Sequence, residues 1–159
     1  IILASGTTIH ALACNIQPEG KLTVVSASLQ ATMSLSGNEN IDIIQLGGML
    51  RHSSASVVGQ YSMEFLRGCS FSKLFLGVDG IDVDFGISTT DIREAELNRA
   101  MMQAAQKTIV LADSSKFGRR GFAKISGMED IDTIITDAKI PHAVAKRIEE
   151  MGIDLIIAG

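Results

Sequence analysis

The sequence predicts an α/β fold with an open, mostly parallel sheet flanked by helices. Seven short apolar runs rich in β-branched residues recur along the chain, with helical patterns between several of them. The composition is 46% hydrophobic but only 4% aromatic and lacks Trp, so the core must be built from aliphatic side chains and Met. Such a core is typical of a parallel sheet buried under helices.

The apolar runs and helical patterns predict the elements in chain order. In helix 92–106 apolar and charged residues alternate at helical spacing with Asp91 as a candidate N-cap, and Pro141 opens the last helix. We expect the strands to be central in the sheet. Strands are predicted at residues 1–3, 22–25, 41–46, 74–78, 108–111, 133–135 and 155–157, and helices at residues 9–16, 29–35, 63–66, 92–106 and 142–151.

The length of 159 residues fits one domain, residues 1–159, which at this size buries roughly two thirds of its unfolded surface. The chain begins on the apolar run Ile-Ile-Leu with no initiator Met. Because natural chains seldom begin inside a buried element, we expect this domain to be a piece of a longer protein.

Charge and cysteine usage limit the classes of function. The formal net charge of −4 gives no broad basic surface, which counts against this segment itself holding a nucleic-acid backbone, although a basic partner domain remains compatible. Cys14 and Cys69 are isolated, and the three histidines have neither metal-site nor triad spacing. The chain also shows no signal peptide or membrane span. We therefore expect a cytoplasmic domain without a cofactor or metal.

The first strand runs directly into Ser-Gly-Thr-Thr, residues 5–8, at the predicted start of a helix. Free backbone N–H groups and the positive helix end converge there, Gly6 allows close approach, and three hydroxyls add donors. These four residues therefore predict either a phosphate-binding loop or an ordinary Ser/Thr helix cap. Hydroxyls also follow the second strand at Ser26 and Ser28, where capping is again the alternative.

Three further strand ends carry polar or flexible residues. Gly47 and Gly48 permit a tight turn or contact with a ligand, and the Gly- and Ser-rich residues 47–59 are predicted to form a loop over a site. Arg51, in that loop, could reach a phosphate or an acidic neighbour, but for a single Arg we expect exposure to solvent. Asp79 could accept hydrogen bonds from sugar hydroxyls or belong to an Asp-Gly turn. Lys116 could neutralise a phosphate as a point charge.

Five motifs in order resemble the C-terminal sensor domain of DeoR-type bacterial transcriptional repressors. The match spans residues 5–137, and the Asp-Ser-Ser-Lys-Phe-Gly and Asp-Gly-Ile-Asp segments are its most specific parts. The motifs are Ser-Gly-Thr-Thr (5–8), Gly-Gly-Met-Leu-Arg (47–51), Gly-Val-Asp-Gly-Ile-Asp (77–82), Gly-Ile-Ser-Thr-Thr-Asp (86–91) and Leu-Ala-Asp-Ser-Ser-Lys-Phe-Gly (111–118).

The resemblance implies a domain that binds a phosphorylated sugar or polyol and releases a winged helix-turn-helix, which would precede Ile1, from DNA. The family's domain is similar to the ribose-5-phosphate isomerase (NagB-like) fold, whose phosphate loop, Asp-Gly segment and lysine occupy comparable strand ends. Association into a homo-oligomer is expected of a dimeric repressor. The predicted ligand-binding residues are Ser5, Gly6, Thr7, Thr8, Ser26, Ser28, Gly47, Gly48, Asp79, Gly80, Thr90, Glu94 and Lys116.

An aldose-ketose isomerase is the alternative, with Asp79, Glu94 or Lys116 acting as base and acid. The isomerases of this fold show Asp-Gly-Ala-Asp-Glu, whereas residues 79–83 read Asp-Gly-Ile-Asp-Val, so the acidic cluster is incomplete. A coenzyme A transferase of related architecture would need a Glu in a suitable glycine-rich loop, and the sequence contains no such loop. The sensor hypothesis is therefore preferred, with no catalytic residues.

Overall fold

The computed structural model describes residues 1–159. It contains five α-helices, twelve strands and two short 3₁₀ turns, at Ser114–Lys116 and Met128–Asp130. The helices are α1 (Thr7–Asn15), α2 (Leu29–Leu35), α3 (Gln60–Arg67), α4 (Ile92–Ala104) and α5 (His142–Glu150). The strands are β1 (Ile2–Leu3), β2 (Leu22–Ser26), β3 (Ile41–Gln45), β4 (Met49–Arg51), β5 (Ser56–Val58), β6 (Leu74–Gly77), β7 (Gly80–Asp82), β8 (Gly86–Thr89), β9 (Thr108–Leu111), β10 (Ala123–Ser126), β11 (Thr133–Asp137) and β12 (Asp154–Ala158).

Seven parallel strands form the central sheet in the order β12-β11-β9-β6-β1-β2-β3. The chain builds outward from β1 to β3, crosses back to β6, and then builds outward to β12. The strand order therefore reverses between β1 and β6. In open α/β sheets, ligands bind outside the carboxyl ends of the strands at such a reversal. The predicted α/β class with a parallel sheet is confirmed.

Helices cover both faces of this sheet. Alternate strand residues point to opposite faces, so Leu3 and Val24 pack with α1 and α2, whereas Ile2 and Val25 belong to the larger cluster with α3, α4 and α5. The buried residues of both clusters are aliphatic or Met, as the composition predicts. The longest helix, α4, has 13 residues, and no helix is long and apolar enough to cross a membrane.

The structure contains two small antiparallel sheets that the sequence did not predict. Residues 47–59, predicted as a loop, contain the hairpin β4–β5, and β7, β8 and β10 form a three-stranded sheet. Their strands have three or four residues, which is too short for a periodic signal. Two helices start earlier than predicted, α1 at Thr7 and α3 at Gln60, whereas the Asp91 cap of α4 is confirmed.

The prediction that the strands are central is wrong for β3 and β12, which form the two edges of the large sheet. The continuous apolar run of β12 fits an interior strand and an unprotected edge strand equally well, whereas β3 reads Ile-Asp-Ile-Ile-Gln and carries the exposed Asp42. In β12 this run leaves Ile156 and Ile157 44% and 45% exposed.

Candidate functional site

A cleft of about 480 Å³ lies at the carboxyl edge of the sheet, beside the ends of the neighbouring strands β1 and β6. Its walls are the loops after β1, β6 and β9, the hairpin β4–β5 and the first turn of α4. A larger cleft, about 590 Å³, lies elsewhere, beside Phe85, Met128 and Met151, and includes none of these strand ends. The smaller cleft contains eight of the predicted binding residues, namely Ser5, Gly6, Thr7, Thr8, Asp79, Thr90, Glu94 and Lys116.

The loop after β1 presents unpaired donors to this cleft. Helix α1 begins at Thr7 without a side-chain cap and without an acidic residue in its first turn. The backbone N–H groups of Gly6, Thr7 and Thr8 donate to no protein acceptor. Gly6 has φ of 119°, which favours glycine, and this conformation directs the chain from the strand into the helix. Since no side chain caps this helix, its first turn can accept an external anion.

Lys116 brings a cation to the same cleft. It ends the 3₁₀ turn that follows β9, where the side chain of Asp113 caps the turn by accepting from the Ser115 N–H. Lys116 is half-buried, and no carboxylate lies within 4.0 Å of its Nζ. The positive charge is therefore available to a ligand in the cleft.

Asp79 follows β6 and is held by the end of β8. Its Oδ2 accepts hydrogen bonds from Thr89 Oγ1 at 2.9 Å and from the Thr90 N–H at 3.2 Å, and its own N–H donates to Ser88 O at 2.9 Å. Oδ1 has no protein donor. One carboxylate oxygen thus fixes the side chain, and the other can accept a hydrogen bond from a ligand hydroxyl.

Arg51 is the polar residue of this cleft whose place differs most from expectation. The prediction that it is solvated is wrong, because its side chain is only 11% exposed and pairs with both Glu94 and Asp91 of the α4 start. Glu94 also accepts a hydrogen bond from Ser5 Oγ at 3.1 Å. The Ser5 hydroxyl and both Glu94 oxygens are thus engaged within the protein, so these two residues shape the wall.

The remaining predicted residues lie outside the cleft. Ser26 Oγ donates to Leu3 O and Ser28 caps α2, so both buried hydroxyls are used locally. Gly48 has φ of 147°, and a Cβ at this position would clash with the Val58 carbonyl across the hairpin. Gly47 O accepts from Ser62 Oγ, and at Gly80 a Cβ would lie 2.5 Å from Arg119 O. None of these five residues lines the cleft.

Residues 52–55 of the hairpin and Gln30 line the cleft although the sequence did not single them out as ligand contacts. The Gly- and Ser-rich composition of residues 47–59 was the available signal, since it indicated a segment over the site. The pairing of Arg51 with Glu94, 43 residues away, had no local signal.

The carboxylate of Asp91 joins α4 to the hairpin and has a strongly lowered pKa. The hydrogen bond from Arg93 is the chief cause, and the backbone N–H groups of Arg93 and Glu94 and the nearby Arg51 add to it against the opposing effect of burial. A carboxyl whose folded-state pKa is lowered stabilises the fold above its unfolded pKa of about 4, and this contribution is lost as the pH falls.

We therefore expect Asp91→Ala to lower the free energy of unfolding by about 1–2 kcal/mol at neutral pH, because the helix loses its cap. Asp91→Asn keeps a cap but not the charge, so its difference from the wild type should shrink as the pH falls from about 5 to about 2. Urea unfolding at a series of pH values measures both. A difference that is constant across this range would contradict the assignment.

Together the topology and the cleft define an α/β domain in which an uncapped helix start and a lysine line one cleft at the strand-order reversal. The chain matches the model of the DeoR C terminal sensor domain over residues 1–138. It belongs to this family, as its motifs indicated.

Relatives with longer chains show the same relationship. The chain is 35% identical over its whole length to a putative aga operon transcriptional repressor of Escherichia coli O157:H7, of which it covers 59%. It is 37% identical over 94% of its length to the uncharacterized HTH-type transcriptional regulator YulB of Bacillus subtilis, covering 58% of that protein. A glycerol-3-phosphate regulon repressor of Haemophilus influenzae is 28% identical over 96% of the chain, which covers 59% of it.

The chain thus spans about three fifths of the length of these relatives. Each is named as a regulator or repressor of transcription and none as an enzyme, which does not favour the isomerase alternative. The geometry agrees, because Glu94, a candidate base, is paired with Arg51 and hydrogen-bonded to Ser5.

Proposed function

We propose that this domain senses a phosphorylated sugar or polyol and controls the DNA binding of a transcriptional repressor in the cytoplasm. The phosphate binds to the loop of residues 5–8 and to Lys116, and the hydroxyls of the ligand bind to Asp79. A winged helix-turn-helix segment of the same protein holds the operator, and at least two copies associate so that two half-sites are bound.

The observation that carries this proposal is that an uncapped helix start and a lysine without a carboxylate partner line the same cleft. Backbone N–H groups of a helix N-terminus bind anions, and a lysine adds the counter-charge. Asp79 Oδ1 adds an acceptor for which a hydroxyl is the matching donor. A ligand with phosphate at one end and hydroxyls at the other satisfies all three. One relative is named for glycerol-3-phosphate, a compound of that kind.

The proposal predicts that sugar and polyol phosphates raise the melting temperature, Tm, whereas their unphosphorylated counterparts at equal concentration do not. A ligand at about 100 times its Kd stabilises by about 2.7 kcal/mol, which corresponds to about 5–10 °C for a chain of this size. Differential scanning fluorimetry with matched pairs, such as glycerol-3-phosphate and glycerol, measures the shift. Equal stabilisation by both members of each pair would contradict a phosphate site.

NMR of the stabilising ligand with stoichiometric protein distinguishes a sensor from an isomerase. A sensor broadens or shifts the ligand resonances and leaves the ligand unchanged over hours. Appearance of an aldose or ketose isomer would instead establish turnover and restore the isomerase alternative.

A further inference from the structure

The Glu94 carboxylate lies beside the position proposed for the phosphate. Its Oε1 accepts a hydrogen bond from Ser5 Oγ at 3.1 Å, and Ser5 directly precedes Gly6, whose N–H has no protein acceptor. The side chain of Glu94 is only 14% exposed, and the residue lines the same cleft. A phosphate monoester carries a charge of about −1.5 to −2 at pH 7, so an uncompensated carboxylate at this place repels it.

Arg51 supplies the compensating charge. Its Nη1 pairs with Glu94 Oε2, and its Nε lies 3.4 Å from Asp91 Oδ2. The Arg51 side chain is 11% exposed, so this ion pair is screened by salt much less than a pair on the surface. The charge of Glu94 is therefore balanced within the wall of the cleft.

The charged residues that line the cleft are balanced in number. Two are cations, Arg51 and Lys116, and two are carboxylates, Asp79 and Glu94. While Arg51 is paired with Glu94, the charge of Lys116 is opposed only by Asp79. Without Arg51, both carboxylates would oppose the binding of an anion to Lys116 and to the loop of residues 5–8.

We propose that Arg51 is a positioning residue of the phosphate site, which acts by balancing the charge of Glu94 and not by contact with the phosphate. Glu94 in turn holds the guanidinium away from the ligand. The two residues thus change the affinity for phosphate in opposite directions. This inference rests on the proposed function and adds to it the pair that sets the electrostatic potential at the loop of residues 5–8.

Arg51 also has a structural role that the test must separate from its charge. Its Nη1 donates to Ser54 Oγ at 3.3 Å, and residues 52–54 of the hairpin line the cleft. Loss of Arg51 could therefore weaken binding by loosening the hairpin. That loss would persist when Glu94 is also neutralised, whereas a loss due to charge would be restored.

The test uses two single variants and their combination. Arg51→Met makes the cleft more negative by one charge and should weaken phosphate binding, whereas Glu94→Gln makes it more positive by one charge and should strengthen binding. The double variant has the charge of the wild type and should bind as the wild type does. Even in bulk water, a unit charge about 4 Å from another changes an equilibrium constant about fivefold, so we expect at least this factor in each single variant.

Two probes show which part of the ligand responds. Titration calorimetry measures binding of glycerol-3-phosphate, and phosphorus NMR measures binding of inorganic phosphate, which has no hydroxyl-bearing carbon chain. Because the pair acts on the phosphate, each variant should change both affinities by the same factor. A change confined to glycerol-3-phosphate would place the pair against the polyol and overturn the inference.

The matched controls are Arg147→Met and Asp84→Asn. These two residues form an ion pair outside the cleft, where their side chains are 46% and 66% exposed. Their substitutions make the same changes in net charge, so both variants should bind the probes as the wild type does. Circular dichroism establishes that each variant is folded.

The outcomes separate this inference from the proposed function. A wild type that binds neither probe would overturn the phosphate site itself. If the wild type binds and the double variant is as weak as Arg51→Met, the guanidinium acts through the hairpin or by direct contact, and only this inference is wrong. A Glu94→Gln variant that binds no more tightly than the wild type would overturn it as well, even if Arg51→Met does not fold.

Discussion

Replacing Gly77 by alanine should lower the free energy of unfolding by about 1–3 kcal/mol and weaken binding of a sugar phosphate by about tenfold. Gly77 ends β6, at the reversal of strand order, directly beside the loop after β1. A Cβ at this position would lie 2.7 Å from Ser5 O and 3.3 Å from Ile9 Cγ1. Ser5 O is a backbone atom at the start of the proposed anion-binding loop, residues 5–8, so relief of the clash must displace that loop.

The matched control is Gly47→Ala, because a Cβ at Gly47 meets no heavy atom within 4 Å. Both changes reduce the flexibility of the unfolded chain equally, so the comparison isolates the effect on the folded state. Urea unfolding and calorimetric titration with the stabilising phosphate measure the two effects. We expect Gly47→Ala to differ from the wild type by less than about 0.5 kcal/mol. An unchanged affinity in Gly77→Ala would contradict the role of the loop.

The elements of this fold were predictable where the local pattern is strong. All seven strands of the large sheet correspond to apolar runs, and α4 has its predicted cap at Asp91. Their neighbours in the sheet were not predictable in the same way. Parallel strands pair through long crossovers, so the apolar run of β12 does not distinguish an edge from the interior. In β3 the exposed Asp42 was the one local sign of an edge. That information depends on strand order, which is a property of the whole chain.

The candidate site shows the same division. The loop at residues 5–8, Asp79 and Lys116 were grouped because each follows an apolar strand, and parallel strands bring their carboxyl ends to one edge. Ser26 and Ser28 satisfied the same criterion, but their hydroxyls bind backbone groups nearby. Ser26 Oγ donates to Leu3 O, and Ser28 Oγ accepts from the Ala31 N–H at the start of α2. A position directly after a strand thus predicts that a residue lies near the carboxyl edge of the sheet. It does not distinguish the residues that face the cleft.

The partners of Arg51 were not predicted because they are distant in sequence. An isolated Arg in a glycine-rich segment is ordinarily solvated, and only the hairpin β4–β5 brings it against the start of α4. There it links the hairpin to Glu94, which accepts a hydrogen bond from Ser5 at the start of the loop of residues 5–8. The same network explains why Glu94 is a poor candidate for a base in an isomerase.

Replacing Lys116 by methionine should weaken binding of a sugar phosphate about 10- to 100-fold and leave stability nearly unchanged. A hydrogen bond to a charged group contributes about 1.5–3 kcal/mol, and each 1.4 kcal/mol is about tenfold in Kd. Methionine retains the length of the apolar stem, and Lys116 has no carboxylate partner within 4.0 Å whose charge the change would leave unpaired.

Arg119→Met is the control. Arg119 is exposed on the same segment, and its substitution removes the same charge outside the cleft. Titration calorimetry at two salt concentrations separates the local contact from the general field, because screening weakens long-range attraction more than a direct contact. We expect the loss in Lys116→Met to persist at high salt and Arg119→Met to bind as the wild type does. If both variants lose affinity equally, the lysine acts through net charge alone, and the phosphate does not contact it.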